Sequence, residues 1–146
     1  IPNPNSALAA LRRSDDSLLA VLNNTKDGRN QLALAYCTEN GKGWKAITML
    51  EQHKPGRIPR AQYTPVLEKD FFASTNETSR KEADAIWPSF EKNIDIRMCK
   101  EAGCKFAYDY PYLIKGKNGI YHLVYSWNKS FIKHVSFNDA WLEQQL

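Results

Sequence analysis

The sequence predicts an all-β chain interrupted by a long, partly helical insertion. Three observations carry this. Short apolar runs recur at roughly 8–12-residue spacing over residues 6–50, with turn clusters between them. The same pattern returns at residues 108–137. Between the two, residues 51–107 are charged, hold Pro55, Pro59, Pro65 and Pro88, and carry one helix-start signal.

The first strand is expected over Ser6–Arg12 and ends at the turn cluster Ser14-Asp15-Asp16-Ser17. Leu18–Asn23 is the second, closed by Thr25-Lys26-Asp27-Gly28. Gln31–Cys37 is the third, and Ala46–Leu50, after a glycine-rich turn and Trp44, is the fourth. The alanines here would suit helices too, but the closely spaced turns leave no window long enough for them. Within the insertion, Ser79-Arg80-Lys81-Glu82 has the pattern of a capping box before a short helix, which Pro88 is expected to end or kink. Tyr110–Lys115, Ile120–Trp127 and Phe131–Phe137 form a second set of three strands. The middle one alternates apolar and polar residues and is rich in β-branched and aromatic types. Residues 138–142 read as a short helical turn or packed end.

A four-stranded unit followed by a three-stranded one reads as about two antiparallel blades of a partial β-propeller. The chain divides into a blade at 1–50, an insertion at 51–107, and a final blade with its tail at 108–146. A blade takes roughly 40–50 residues and a ring about four to eight blades. Two blades cannot close, so the expected partner is the remaining propeller segment or a second chain.

Composition narrows the function classes. The chain has 146 residues, 42% hydrophobic and 25% charged, with a net charge of +4. That is an ordinary globular composition in a domain-sized chain. The basic excess is mild and holds no run of five, so no nucleic-acid partner is expected. No apolar run approaches the roughly 18 residues that cross a bilayer, so no membrane span is expected. The opening IPNPNSALAA has no signal-peptide pattern, although a secreted parent would have lost one. The absence of Met at position 1 reads as a processed or excised piece.

Three cysteines are too few for a dense disulfide scaffold. Cys99 and Cys104 are spaced to bridge a short loop in a secreted protein, leaving Cys37 reduced and buried. Sequons at Asn23, Asn76 and Asn128 favour a secretory route and glycosylation. His53, His122 and His134 are scattered, so no metal site and no cofactor is expected.

The turn Cys37-Thr38-Glu39-Asn40-Gly41-Lys42-Gly43-Trp44 resembles an Asp-box, Ser-x-Asp-x-Gly-x-Thr-Trp. Gly41 and Trp44 match, while Cys37, Glu39 and Gly43 depart from the pattern. Glycine permits positive φ, the acid accepts backbone N–H bonds, and Trp44 is expected to be buried beneath the hairpin. With PNPNS near the start, the Gly28-Arg29 turn and YDYPYLIKGKNGIYHLVYSWNKSFIKHVSFNDAWL at 108–142, the frame resembles the C-terminal part of sialidase-like (BNR repeat) propellers. The resemblance covers residues 1–50 and 108–142.

That resemblance implies a site. In an up-and-down blade, the loop between second and third strands and the start of the first strand share a rim. Arg29, Tyr110, Asn3, Asn5 and Asn128 fall on that rim, and the insertion enters there. In the resembled family a tyrosine at this position is the nucleophile, which implies that role for Tyr110. An arginine triad grips the substrate carboxylate, which implies substrate binding for Arg29. Asn3, Asn5 and Asn128 are the further binding candidates, and the ligand implied is a carbohydrate. The alternative for Tyr110 is an ordinary half-buried strand tyrosine, and for Arg29 a solvated turn residue. Arg57-Ile58-Pro59 echoes an early family motif but stands at the wrong place in the order. The family's acid/base aspartate, partner glutamate and other arginines are not identifiable, so this chain alone is expected to be inactive. The two readings are a C-terminal share of a sialidase-type glycoside hydrolase and a non-catalytic glycan-binding or scaffold propeller. A third, weaker one is an independent small β-domain built around the insertion.

Overall fold

The computed structural model describes residues 1–38 and 41–146, with the backbone alone at Glu77 and Thr78. Four strands form the first sheet in sequence order: β1 Ala9–Arg12, β2 Leu18–Leu22, β3 Gln31–Cys37 and β4 Lys45–Gln52. Every pairing is antiparallel. The strand β1 begins three residues later than expected. The preceding segment turns instead, with the Ser6 N–H donating to Asn3 Oδ1 at 3.0 Å and Asn5 at φ +58°.

Residues 51–107 hold two helices, α1 Arg60–Ala73 and α2 Glu77–Met98, rather than one short helix. Their reason lies in spacing. Tyr63, Leu67 and Phe71 recur on one face of α1, and Ala83, Trp87, Ile94 and Met98 on one face of α2, all buried. Pro88 does not end α2, which continues ten residues beyond it. Burying Trp87, Ile94 and Met98 offsets the roughly 3 kcal/mol that an interior proline costs. The capping box is real but sits three residues earlier than read. Asn76 is the N-cap, its Oδ1 accepting from the Ser79 N–H, while Ser79 Oγ accepts from the Asn76 N–H.

A two-residue ribbon follows, β5 Cys99–Lys100 paired with β6 Gly103–Cys104, with Cys99 and Cys104 joined by a disulfide. Ile58 pairs with Cys104 through two backbone hydrogen bonds of 2.8 and 2.9 Å. Arg57 Nη1 donates to the Met98 and Gly103 carbonyls. The chain therefore leaves and re-enters the insertion at one point.

The last sheet is β7 Tyr108–Lys115, β8 Tyr121–Trp127 and β9 Phe131–Phe137, again antiparallel and in sequence order. The short helix α3 Asp139–Glu143 closes the tail. The expected alternation in β8 is present: Tyr121, Leu123, Tyr125 and Trp127 are buried, and the residues between them are half-exposed.

The fold is thus mainly β, with three antiparallel sheets, none of them closed. The insertion shares its core with both larger sheets. One hydrophobic cluster joins Leu19, Val21 and Leu34 of the first sheet, Phe71 and Trp87 of the helices, and Leu123 and Trp127 of the last sheet. Trp44 is half-buried rather than buried, packing on Ala20, Leu22 and Ala35 on the opposite face of the first sheet. Glu39 lies outside the described residues. Cys37 is a free, buried thiol.

Candidate functional site

The turn after β2 builds one wall of the candidate site. Thr25 Oγ1 donates to the carbonyls of Asp27 and Gly28, and Gly28 sits at φ +76°. This folds the chain back so that Arg29 pairs with the segment entering β7. Its carbonyl accepts from the Tyr108 N–H at 2.9 Å. Arg29 Nη1 lies 2.5 Å from Asp109 Oδ1, and Asp109 is 1% exposed. The hydrogen bond to Asp109 raises the Arg29 pKa, against the opposing effect of burial, with a smaller contribution from Tyr110.

Tyr110 forms the opposite wall. Pro111 follows it and has no N–H for the ladder, and the β7–β8 register slips between Asp109 and Tyr112. The resulting bulge holds Tyr110 at φ +52° and leaves it 69% exposed. A bulky residue there is strained, and more so before proline. Asn128 and Lys129 also have positive φ, in the turn beside it.

These pieces enclose an open cleft of about 640 Å³. Arg29, Tyr110, Lys105 and Lys129 line it, with Pro55 and Gly56 from the start of the insertion. Arg29, Lys105 and Lys129 outnumber Asp27 along its wall, so the lining is net positive. Burial lowers the Lys105 pKa, and the charges of Arg57, Lys129, Lys100 and Arg29 lower it further. Such a cleft suits an anionic group.

The model of the BNR repeat-like domain matches residues 1–123, most of the chain and across the insertion. The chain belongs to the BNR repeat-like family. This agrees with the resemblance carried by the 37–44 turn and the 108–142 frame. Among curated proteins and among solved structures there is no match.

In this BNR repeat-like chain the remaining predicted residues stand apart from the cleft. Asn128 is fully buried, its Oδ1 accepting from the Ala107 N–H at 2.9 Å. It does not line the cleft, and the burial of its side chain leaves no exposed nitrogen for a glycan in this fold. Asn23 is also fully buried. Its Nδ2 donates to the Gln31 and Tyr108 carbonyls, and its Oδ1 accepts from Ser6 Oγ. The nitrogen a sugar would need is already bonded within the core, so the Asn23 sequon is corrected to a structural asparagine. Asn76 is exposed. Asn3 and Asn5 precede Ser6, and so lie at the Asn23 end of the first sheet, but neither lines the cleft.

The sequence reading missed a second cluster. Glu51, His53 and Asp70 come together, each offering a ligand atom within 4.8 Å of the others. The three histidines were expected to be unrelated, yet His122 and His134 stack on the outer face of the last sheet, Nδ1 to Nε2 3.1 Å. Their cross-strand positions in β8 and β9 were a legible signal. The meeting of β4 with α1 was not.

Proposed function

We propose that this chain is the C-terminal share of a sialidase-type glycoside hydrolase that needs the rest of a propeller for activity. Tyr110 is its nucleophile and Arg29 a ligand to the substrate carboxylate. One observation carries the reading: a strained, exposed tyrosine shares a cationic cleft with an arginine. Strain at a bulky residue is retained where the surroundings hold it for a purpose. A phenol attacks beside a bound carboxylate without like-charge repulsion, and Arg offers a bidentate fork. Buried Asp109 Oδ2 and Asn128 Nδ2 lack partners among the described residues, which supports a site completed by further protein or ligand. The disulfide and the exposed Asn76 sequon support passage through an oxidising secretory route.

The test uses the completed propeller and a sialoside. Tyr110→Phe is expected to abolish turnover while leaving the fold intact, since only the nucleophilic oxygen is lost. Arg29→Lys is expected mainly to weaken binding, because the ammonium keeps the charge without the fork. Unchanged binding and turnover in both variants removes the site assignment. A second reading, glycan binding without hydrolysis, is favoured by one observation: no carboxylate or histidine hydrogen-bonds Tyr110 among the described residues. Normal binding with no turnover by the unmodified protein establishes that reading.

A further inference from the structure

We propose that Glu51, His53 and Asp70 form a zinc site beside the buried Tyr108. The three residues come from two segments: Glu51 from β4 and His53 from its continuation, two positions on, and Asp70 from α1. His53 Nε2 already lies 2.8 Å from Asp70 Oδ2. His53 is held at both its ring and its backbone. Its ring stacks on Phe106 with centroids 4.0 Å apart. The His53 backbone N–H donates to the Asn30 carbonyl, and the His53 carbonyl accepts from Asn30 Nδ2 at 2.7 Å. Glu51 is buried, and Tyr125 Oη and Lys133 Nζ both donate to its Oε1 at 2.6 Å. Oε2 makes no hydrogen bond among the described residues.

The second observation is independent of the cluster. Tyr108 is 0% exposed and its hydroxyl has no hydrogen-bond partner among the described residues. Its ring lies beside His53, with centroids 6.1 Å apart, and beside Tyr125, the donor to Glu51, at 6.5 Å. A buried hydroxyl left unpaired is rare and points to a missing partner. A metal-bound water or the ion itself supplies one.

Donor chemistry selects the metal. One imidazole nitrogen and two carboxylate oxygens, with a fourth position left for water, suit Zn²⁺. Ca²⁺ takes six to eight oxygens and Mg²⁺ near-ideal octahedral oxygen ligation, which this set does not offer. An open cleft of about 540 Å³ lined by Gln31, His53, Gln62 and Phe106 gives a path for the ion. Lys133, ion-paired with Glu51, and Lys54, on the wall of that cleft, oppose it; the long stem of Lys133, 20% exposed, can withdraw toward solvent. Bound zinc would tie the first helix of the insertion to the edge of the first sheet.

The experiment is calorimetric titration of the metal-free full chain with zinc chloride. It is run on a His122→Ala background, because the His122–His134 pair is an alternative zinc ligand on the surface. One ion per chain is expected. His53→Gln and Asp70→Asn are each expected to weaken binding at least about tenfold. Circular dichroism without metal checks that each variant folds. Lys133→Gln, on a partly exposed side chain, keeps the fold and is expected to tighten binding several-fold by removing the competing ammonium. Cobalt in place of zinc is expected to give the visible absorption of four-coordinate nitrogen and oxygen ligation. The proposal is overturned if zinc binds only when His122 is present, or if folded His53→Gln binds as the background does. Unchanged affinity in Lys133→Gln overturns it too.

Discussion

Tyr110 shows how much one residue's backbone decides. Its φ of +52° follows from the bulge that Pro111 forces on β7, and the ring reaches the cleft because of it. The proline and its tyrosine were legible in the sequence; the bulge was not, since register depends on which β8 residues oppose them. The strain gives a comparison. Tyr112, two residues on, is similarly exposed but lies on regular strand. Tyr110→Gly removes a ring and relieves a left-handed conformation worth about 1–2 kcal/mol. Tyr112→Gly removes a ring and relieves nothing. Urea unfolding is expected to show Tyr110→Gly close to the unmodified chain and Tyr112→Gly less stable by at least about 1 kcal/mol. Equal losses would show that the Tyr110 backbone carries no strain. Asn23 and Asn128 teach the opposite lesson. A sequon is a local pattern, whereas their burial comes from contacts with Tyr108 and Ala107, about 85 and 21 positions away in the chain.

At the scale of elements, the strands were legible and the insertion was only half so. Turn clusters bound β2, β3, β8 and β9 where the sequence places them, because each strand is short and locally punctuated. The helices were under-read because Pro65 and Pro88 argue locally against them, while Phe71 and Trp87 are buried by one another and by β9. The candidate cleft follows the same division: Arg29 and Tyr110 meet as topology requires, but Lys105 reaches it through the ribbon that ends the insertion. The short helix α3 offers a test of an element by charge. Asp139, in its first turn, accepts from Lys115 Nζ at 2.7 Å, from Tyr121 Oη at 2.6 Å and from Arg13. Hydrogen bonds from Lys115 and then Tyr121 lower its pKa from 3.8 to about 2. A depressed carboxylate stabilises the fold above its unfolded pKa, and that stabilisation is lost as pH falls through the folded one. Asp139→Asn is therefore expected to melt below the unmodified chain at pH 7. The gap closes as pH falls from about 4 to about 2. Because Asp139 is partly exposed, salt should shrink the gap. A gap independent of pH would remove the charge assignment.

For the whole molecule, the core is continuous from the first sheet through the helices to the last, so melting should be a single transition. One surface remains uncovered. On the outer face of the last sheet, Tyr112, Ile114 and Ile132 are exposed beside half-buried Val124 and the His122–His134 pair. A sheet face this apolar is expected to self-associate when the rest of a propeller is missing. Sedimentation velocity should show mass rising with concentration, and Ile132→Lys should return the chain to monomer without lowering its melting temperature. A monomer at every concentration would contradict this. The stitch between Ile58 and Cys104 acts on a different quantity, the entropy of closing the chain. Fifty-five residues separate the end of β4 from the start of β7, but only residues 53–58 and 104–107 lie outside the stitch. Once the insertion has folded, the two sheets are joined by an effective loop of about ten residues, and closing it costs about 1.5 kcal/mol less than closing the open chain. Helices that look like an interruption in the sequence are, for the search that brings the sheets together, a shortcut.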